Sequence, residues 1–516
     1  MSKIPATPTA KSTSTEPGAA NPEELRFGGS TDDGGPDDDG KPREECGIFG
    51  IFGHPEAGAH TVLGLHALQH RGQEAAGIVS FDGKRFNSHR SLGHVGDHFN
   101  TESVIERLIG TSAVGHVRYS TAGEKTLLRN VQPLFADLNV GGVAVAHNGN
   151  LTNALAVRRR LVEGGAIFQS TMDTEVIVHL IATSPRAALR DRVIDALRQI
   201  EGAYSLVLLT KKALIGVRDP LGVRPLVLGR MEEGSYILAS ETCALDIIGA
   251  NFIRDIEPGE IVRISEEGIE SIKPFPAAKS RFCIFEYVYF ARPDSLVEGS
   301  SVYEVRKRIG AELAREHHVD ADVVIPVPDS GTPAAIGYAE ESGISFQLGI
   351  IRNHYVGRTF IEPTDNIRHL GVKLKHNANR ATIQGKRVIL VDDSIVRGTT
   401  SVKIVQMVRD AGATEVHMRI ASPPTTFPCF YGVDTPKRDK LLAANHDIKG
   451  MERFIGVDSL AYVSHDGLYR AAGETARDEA QPQYCDACFT GDYPISLTDE
   501  QGDDAPTQLS VLAERA

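Results

Sequence analysis

Two adjacent carboxylates, Asp392 and Asp393, close a run of four apolar residues, Val388–Val391. Arg397, Gly398, Thr399 and Thr400 follow within a few positions. The apolar run predicts a buried parallel strand. The periodic stretch from Ser401 to Arg409 predicts a helix ending near Gly412. At the start of such a helix the free N–H groups and the dipole hold a phosphate, and the threonine hydroxyls add donors. Carboxylates at the strand end accept hydrogen bonds from vicinal hydroxyls, so the whole set suits a ribose phosphate. The plainer reading is a strand, loop and helix with solvated acids. Two acids at a buried strand end, followed by Arg-Gly-Thr-Thr, argue against it. A second loop, Pro326-Val-Pro-Asp-Ser-Gly-Thr-Pro333, offers a glycine, hydroxyls and helix-start N–H groups that suit a pyrophosphate.

A different chemistry is carried nearer the N-terminus. Cys46 lies where a polar stretch meets an alternating apolar strand, Gly47-Ile-Phe-Gly-Ile-Phe52. Four further strings follow in order: His66-Ala-Leu-Gln-His-Arg-Gly-Gln-Glu74, Gly115-His-Val-Arg-Tyr-Ser-Thr-Ala-Gly123, Ala146-His-Asn-Gly-Asn-Leu151 and Ser170-Thr-Met-Asp-Thr-Glu175. Taken singly, each has a bland meaning. A free cysteine is usually a small buried hydrophobe, Arg118 and Asp173 could form a surface ion pair, and Asn148-Gly149 reads first as a hairpin turn. Together and in order they resemble the glutaminase domain of N-terminal-nucleophile amidotransferases. That resemblance implies a mature chain beginning at Cys46, whose α-amino group, with a pKa near 7.7–8.0, is the base for its own thiol. It implies that Arg118 holds the glutamine α-carboxylate and Asp173 the α-ammonium. Asn148 and the Gly149 N–H would form the oxyanion hole. Residues 1–45 would then be a propeptide.

The Asp392-Asp393 run resembles the signature of type I phosphoribosyltransferases, whose substrate is phosphoribosyl pyrophosphate (PRPP). With the cysteine set it points to the PRPP amidotransferase family, over roughly residues 46–493. The resemblance implies Mg²⁺ near Ser330, Asp392 and Asp393, a hard cation among oxygen ligands. It implies a loop at Arg352–Phe360 that closes over PRPP, with Tyr355 and Arg358 as contacts. Cys485-x-x-Cys488 has a metal-type spacing, and the strings around Cys283 and Cys429, Arg281–Phe290 and Pro428–Gly432, resemble those of one branch of the family, which implies a set of four thiolates; four thiolates alone could hold zinc or a cluster. Only the resemblance, to the branch of the family with a propeptide, selects a [4Fe–4S] cluster. It also implies glutamine as nitrogen donor, purine nucleotides as inhibitors and a homotetramer. Cys243 has no ligand role in that pattern and is expected to be buried and structural. A glucosamine-phosphate synthase or asparagine synthetase would have no use for the Asp392-Asp393 cradle. A DNA-binding regulator on a phosphoribosyltransferase fold would not need the Cys46 set.

These groups need a scaffold. From 46 to about 275, predicted strands at Ala113–Val117, Val143–His147, Tyr204–Leu209 and Leu226–Leu228 mix with helices at Ala59–Leu68 and Asp173–Ala182. This is an α+β pattern of packed sheets covered by helices, the glutaminase domain. From 276 to 470 strands alternate with helices: Asp322–Val327, a helix Thr332–Glu341, then Ser345–Ile351, Val388–Val391 and Glu415–Ala421. That order predicts an α/β domain with a parallel, doubly wound sheet and its ligand at the strand carboxyl ends. Residues 1–45 are rich in Pro, Ser, Thr, Gly and Asp and are expected to be disordered. Residues 471–516 form a polar tail carrying two of the cysteines, too poor in apolar groups to dock well without a metal. The formal charge of −13 argues against a nucleic-acid partner. No apolar run approaches the roughly 18 residues of a membrane span, and no signal-peptide core is present. The expected location is the cytoplasm, where the 6 cysteines would not pair as disulfides.

Overall fold

Gly47–Phe52 packs on both faces, and its glycines make that possible. A Cβ on Gly50 would stand 2.7 Å from Val207 Cγ1, and one on Gly47 would stand 2.8 Å from Val117 Cγ2. Between them Ile48, Phe49 and Ile51 are fully buried, each contributing about 1.5–3 kcal/mol of apolar burial. In the computed structural model, which describes residues 46–119, 127–353 and 376–500, this strand lies fourth in a seven-stranded antiparallel sheet. The sheet order is Asn251–Asp255, Val227–Arg230, Tyr236–Ala239, Gly47–Phe52, Ser112–Arg118, Ala75–Phe81, Phe86–Leu92. A six-stranded sheet runs Gly268–Ile272, Ile261–Ser265, Ala213–Arg218, Gly202–Thr210, Gly141–Leu151, Leu134–Leu138. Ile48, Val79 and Val114 of the first sheet meet Ala144, Val207 and Leu214 of the second in one core. Helix Ala57–Ala67 covers the outer face of the first sheet. Helices Ala154–Glu163, Thr174–Thr183 and Leu189–Leu197 cover the second. The expected α+β sandwich is present; three of its predicted strands extend beyond both expected ends, while the one expected at Leu226–Leu228 is Val227–Arg230.

The second half holds four parallel strands in the order Val323–Pro326, Arg387–Asp392, Glu415–Ile420, Ser459–Tyr462. Helices Val302–Glu316 and Thr332–Ser342 pack on one face, and Thr399–Asp410 and Ile448–Ile455 on the other. The strand expected at 345–351 is different. Phe346 makes one isolated parallel bridge with Val324, and the strand proper is Ile350–Arg352, paired antiparallel with His376–Ala378. Gly349 explains the break: a Cβ there would stand 2.2 Å from Ile325 Cδ1, so the chain crosses close over the sheet instead of extending it.

The tail expectation is corrected. Tyr493, Ile495 and Leu497 pack on the core of the second half, and the chain then runs onto the first. Asp499 N donates to Thr152 O, and the Asp499 carboxylate accepts from Leu155 N at 2.8 Å and Ala156 N at 3.0 Å. It therefore caps the helix Ala154–Glu163. Apolar residues at every second position are the signature of an extended strap with one dry face. All described residues belong to one compact unit, Asp39–Ala516. The expected disorder of 1–45, and the tail beyond 500, lie outside the described residues. Among the described residues no helix is long and apolar enough to cross a membrane.

Candidate active sites

Cys46 immediately precedes the central strand and is 5% exposed. Its Sγ lies 3.4 Å from Tyr119 O. Burial pushes the thiol up to about 11, against the pull of that hydrogen bond and of Arg118; Asp173 and Glu74 push it further up. The strings quoted from the sequence thus converge, for Cys46, Arg118 and Asp173 lie close enough for their charges to act on one another. Asp173 caps the helix Thr174–Thr183 and accepts from Thr174 N at 2.8 Å and Leu151 N at 3.0 Å. Burial alone would raise its pKa. His147, 3.7 Å away, and the two N–H groups outweigh burial and hold the carboxyl below its usual range.

Asn148 and Gly149 do not form a hairpin turn. They lie inside the strand Gly141–Leu151, paired with Ser205 and Tyr204. A Cβ on Gly149 would stand 2.0 Å from Ala203 O, and its φ is +137°, so this position accepts glycine only. The Asn148 side chain is fully buried, yet among the described residues neither its Nδ2 nor its Oδ1 has a hydrogen-bond partner. A buried amide left unmade costs about 1–3 kcal/mol, and such groups cluster where a ligand completes them. A cavity of about 270 Å³ opens beside this strand, lined by Asn150, Met172, Asp173, Phe430, Leu497 and Asp499, among others.

Behind Cys46 lies a buried charge network that includes none of the residues expected to act. Arg71 is 1% exposed. Its Nε donates to Cys46 O at 3.3 Å, its Nη1 to Glu241 at 2.5 Å and its Nη2 to Glu286 at 2.7 Å. Glu241 also accepts from Ser295 Oγ at 2.7 Å and Arg292 N at 2.9 Å. Glu286 lies 3.6 Å from Arg224 Nη1, and Arg224 Nε donates to Tyr431 O at 2.8 Å. The network runs from the first strand to the second half of the chain. Its signal was present in the strings around His66–Glu74, Glu241–Leu245 and Arg281–Phe290, which carry these charges among apolar residues.

Asp392 and Asp393 are 3% and 1% exposed, at the carboxyl end of an inner parallel strand. Asp393 N donates to Asp392 Oδ1 at 3.0 Å, and Ser394 Oγ to Asp393 Oδ1 at 2.6 Å. Gly398, φ +76°, precedes the helix that opens with Thr399 and Thr400, as expected, with Arg397 just before it. The loop with Ser330 lies alongside: a Cβ on Gly331 would stand 2.4 Å from Val391 O. Asp329 pairs with Arg352 at 2.8 Å. Arg306, also unforeseen, is buried, lies near enough to Asp393 for their charges to act on one another, and donates to Tyr287 O and Ala291 O. Burial lowers its pKa to about 10, and the attraction of Asp393 opposes the fall. Tyr355 and Arg358 lie outside the described residues.

Cys283, Cys429, Cys485 and Cys488 line one narrow cavity with Phe285, Phe290 and Tyr431. The pairing of Cys283 with Cys485 in a short parallel ladder brings two of them together. Burial pushes the Cys485 thiol up to about 12. Among the described residues no three His, Cys, Asp or Glu side chains converge to hold a single metal ion. Cys243 is buried apart from these, beside Glu241.

The fold and the Cys46 site define a glutamine amidotransferase of the N-terminal-nucleophile class joined to a phosphoribosyltransferase sheet. A family described as a glutamine amidotransferase domain matches residues 116–246. An amidophosphoribosyltransferase of Rhizobium etli is 62% identical over 91% of this chain and 96% of its own. A chloroplastic one from Glycine max is 53% identical over 89% and 80%. A solved glutamine PRPP amidotransferase from B. subtilis, complexed with ADP and GMP, is 46% identical over 88% of this chain and 98% of its own, with a TM-score of 0.83. The chain belongs to the amidophosphoribosyltransferase family.

Proposed function

We propose that the chain converts PRPP, glutamine and water to 5-phosphoribosylamine, glutamate and pyrophosphate, the first step of de novo purine synthesis. The observation that carries this reading is the presence of both half-sites in one compact unit. One is the Cys46, Arg118, Asp173 and Asn148 cluster, and the other is the Asp392-Asp393 strand end with its glycine-threonine helix start.

The chemistry follows from the groups. Once residues 1–45 are removed, the Cys46 α-amine takes the thiol proton, which a thiol raised by burial does not give up unaided. The thiolate attacks the side-chain amide of glutamine, whose α-groups rest on Arg118 and Asp173. The developing oxyanion accepts from the unpartnered Asn148 Nδ2 and the Gly149 N–H. Ammonia leaves, and water later releases glutamate from the thioester. In the second half Asp392 and Asp393 accept from the ribose hydroxyls, while Gly398, Thr399 and Thr400 present the helix start to the 5-phosphate. Tyr355 and Arg358 belong to the loop assigned to cover PRPP.

Asp392, Asp393 and Ser330 would hold Mg²⁺, which needs only one or two carboxylates beside phosphate and water and supplies charge to neutralise the leaving pyrophosphate. Cys283, Cys429, Cys485 and Cys488, which line one cavity, would hold the [4Fe–4S] cluster of the family branch that the chain resembles. Its role would be structural, clipping the tail to the body. Purine nucleotides as inhibitors, a homotetramer and a cytoplasmic location complete the reading. Glutamate release from purified protein, measured with and without PRPP, tests it. PRPP-stimulated release with one pyrophosphate per phosphoribosylamine is expected; glutamate release with no pyrophosphate at any PRPP concentration would refute it.

A further inference from the structure

We propose that the backbone of Phe430–Gly432, from the second half of the chain, positions the oxyanion hole of the glutamine site. The inference rests on the reading of Asn148 and Gly149 as that hole. Among the described residues the Asn148 amide has no hydrogen-bond partner, so its direction is set by its backbone and by the packing round it. One side of that backbone is the ladder to Ser205 and Tyr204. The other side is Gly432. A Cβ on Gly432 would stand 2.9 Å from Gly149 Cα and 3.0 Å from Gly149 C, and its φ is +112°. The two glycine backbones therefore touch, with no room for a side chain on either.

The flanking contacts hold this approach. Asn150 Nδ2 donates to Phe430 O at 3.0 Å, and Arg224 Nε donates to Tyr431 O at 2.8 Å. The Tyr431 hydroxyl donates to Ile495 O at 2.8 Å and accepts from Ile495 N at 3.0 Å. The segment is thus tied to the glutamine strand in front and to the tail strap behind. Gly149 is pressed between Ala203 and Gly432, and a shift of either moves the N–H that the oxyanion needs. Loss of one oxyanion donor costs about 10²–10³ in kcat, and misplacement by about an ångström costs on the order of 10². None of these contacts touches Arg118 or Asp173, so KM for glutamine is expected to hold.

The test compares Gly432→Ala, Asn150→Ala and Asn148→Ala in processed, full-length enzyme. Four readouts are taken: kcat and KM for glutamate release, ammonia-dependent phosphoribosylamine formation, Cys46 labelling by a diazoketone analogue of glutamine, and Cys46 alkylation by iodoacetamide. Gly432→Ala is expected to lower the glutamine kcat by about 10–100-fold and Asn150→Ala several-fold, each with KM within about twofold. Diazoketone labelling should slow in step, while iodoacetamide alkylation and the ammonia reaction stay at parental rates. Should Gly432→Ala fail to fold, Asn150→Ala decides, since it removes the Asn150 Nδ2 bonds to Phe430 O and Leu151 O and adds no atoms. Parental kcat in Asn150→Ala and in any folded Gly432→Ala, with loss in Asn148→Ala, overturns this inference alone. Parental kcat in Asn148→Ala overturns the oxyanion reading beneath it. A parallel fall of the glutamine and ammonia reactions, or of both labelling rates, makes the segment merely structural and also overturns the inference.

Discussion

Replacing Glu286 by glutamine keeps the shape of the buried network and removes one charge from it. Arg71, Arg224, Glu241 and Glu286 are all within 1% of complete burial, so two positive and two negative charges balance with almost no water to help. Glu286 accepts two bonds from Arg71, at 3.0 and 2.7 Å, and stands 3.6 Å from Arg224. Removing one partner of a buried pair costs about 3–5 kcal/mol. Glutamine retains one acceptor and Glu241 still holds Arg71, so the lower end, about 3 kcal/mol, is expected. At about 2.1 cal/mol/K per residue, a unit spanning Asp39–Ala516 unfolds with an entropy near 1 kcal/mol/K. The midpoint should then fall by about 3 °C, with the glutamine kcat falling as Arg71 loosens its hold on Cys46 O. Calorimetry and glutamate release measure the two effects. Acid tests the network independently. Glu241 is buried, yet His70 and Arg71 hold its carboxyl well below the usual range. Its stabilisation is therefore present above the unfolded pKa of about 4.3 and is withdrawn as pH falls below that. An unchanged midpoint in Glu286→Gln at neutral pH would sink the argument.

Four further outcomes are expected. Cys46→Ser should lose glutamine-dependent synthesis and keep the reaction with high ammonia; equal loss of both in folded protein would contradict separate half-sites. Asp392→Asn combined with Asp393→Asn should abolish synthesis from either nitrogen source and weaken PRPP binding in calorimetry, and an unchanged affinity would remove the cradle. Edman sequencing of active enzyme should begin Cys-Gly-Ile-Phe, because Cys46 nitrogen in an amide cannot act as a base; an active chain still carrying residues upstream of Cys46 would contradict this. Anaerobically purified protein should be brown with about four irons per chain, and Cys485→Ser should lose that colour and iron. Colourless protein with one zinc would reject the cluster and keep the clip.

The sequence exposes the parts of this molecule whose chemistry is local. Val388–Val391, the two aspartates and Gly398 sit in one run, and strand, loop and helix follow from periodicity and one left-handed glycine. Cys46 could be placed because four short strings repeat a known order. Asn148-Gly149 shows the limit: the pair favours a turn in isolation, and only the opposing backbone at Ala203 makes it the interior of a strand. Arg71, Arg224, Glu286 and Arg306 show in the sequence only as charges among apolar residues, without periodicity, and partners as far as 215 positions apart leave their assembly into one network unreadable there. Alternation at Tyr493, Ile495 and Leu497 was a legible signal of a docked strap, masked by the polar residues around it.

The reach of that strap has a consequence for synthesis on the ribosome. Both antiparallel sheets have emerged by Ile272, but the cap on the helix that follows Asn148 and Gly149 arrives with Asp499, 344 positions after the Leu155 N–H it accepts from. Two of the four clustered thiols appear only at Cys485 and Cys488. A nascent chain can therefore build the amide-cleaving sandwich early yet complete its walls only at the close of translation. Contacts of such long span are late and slow to form. The ammonia-releasing half is thereby finished only after the half that consumes ammonia has been made.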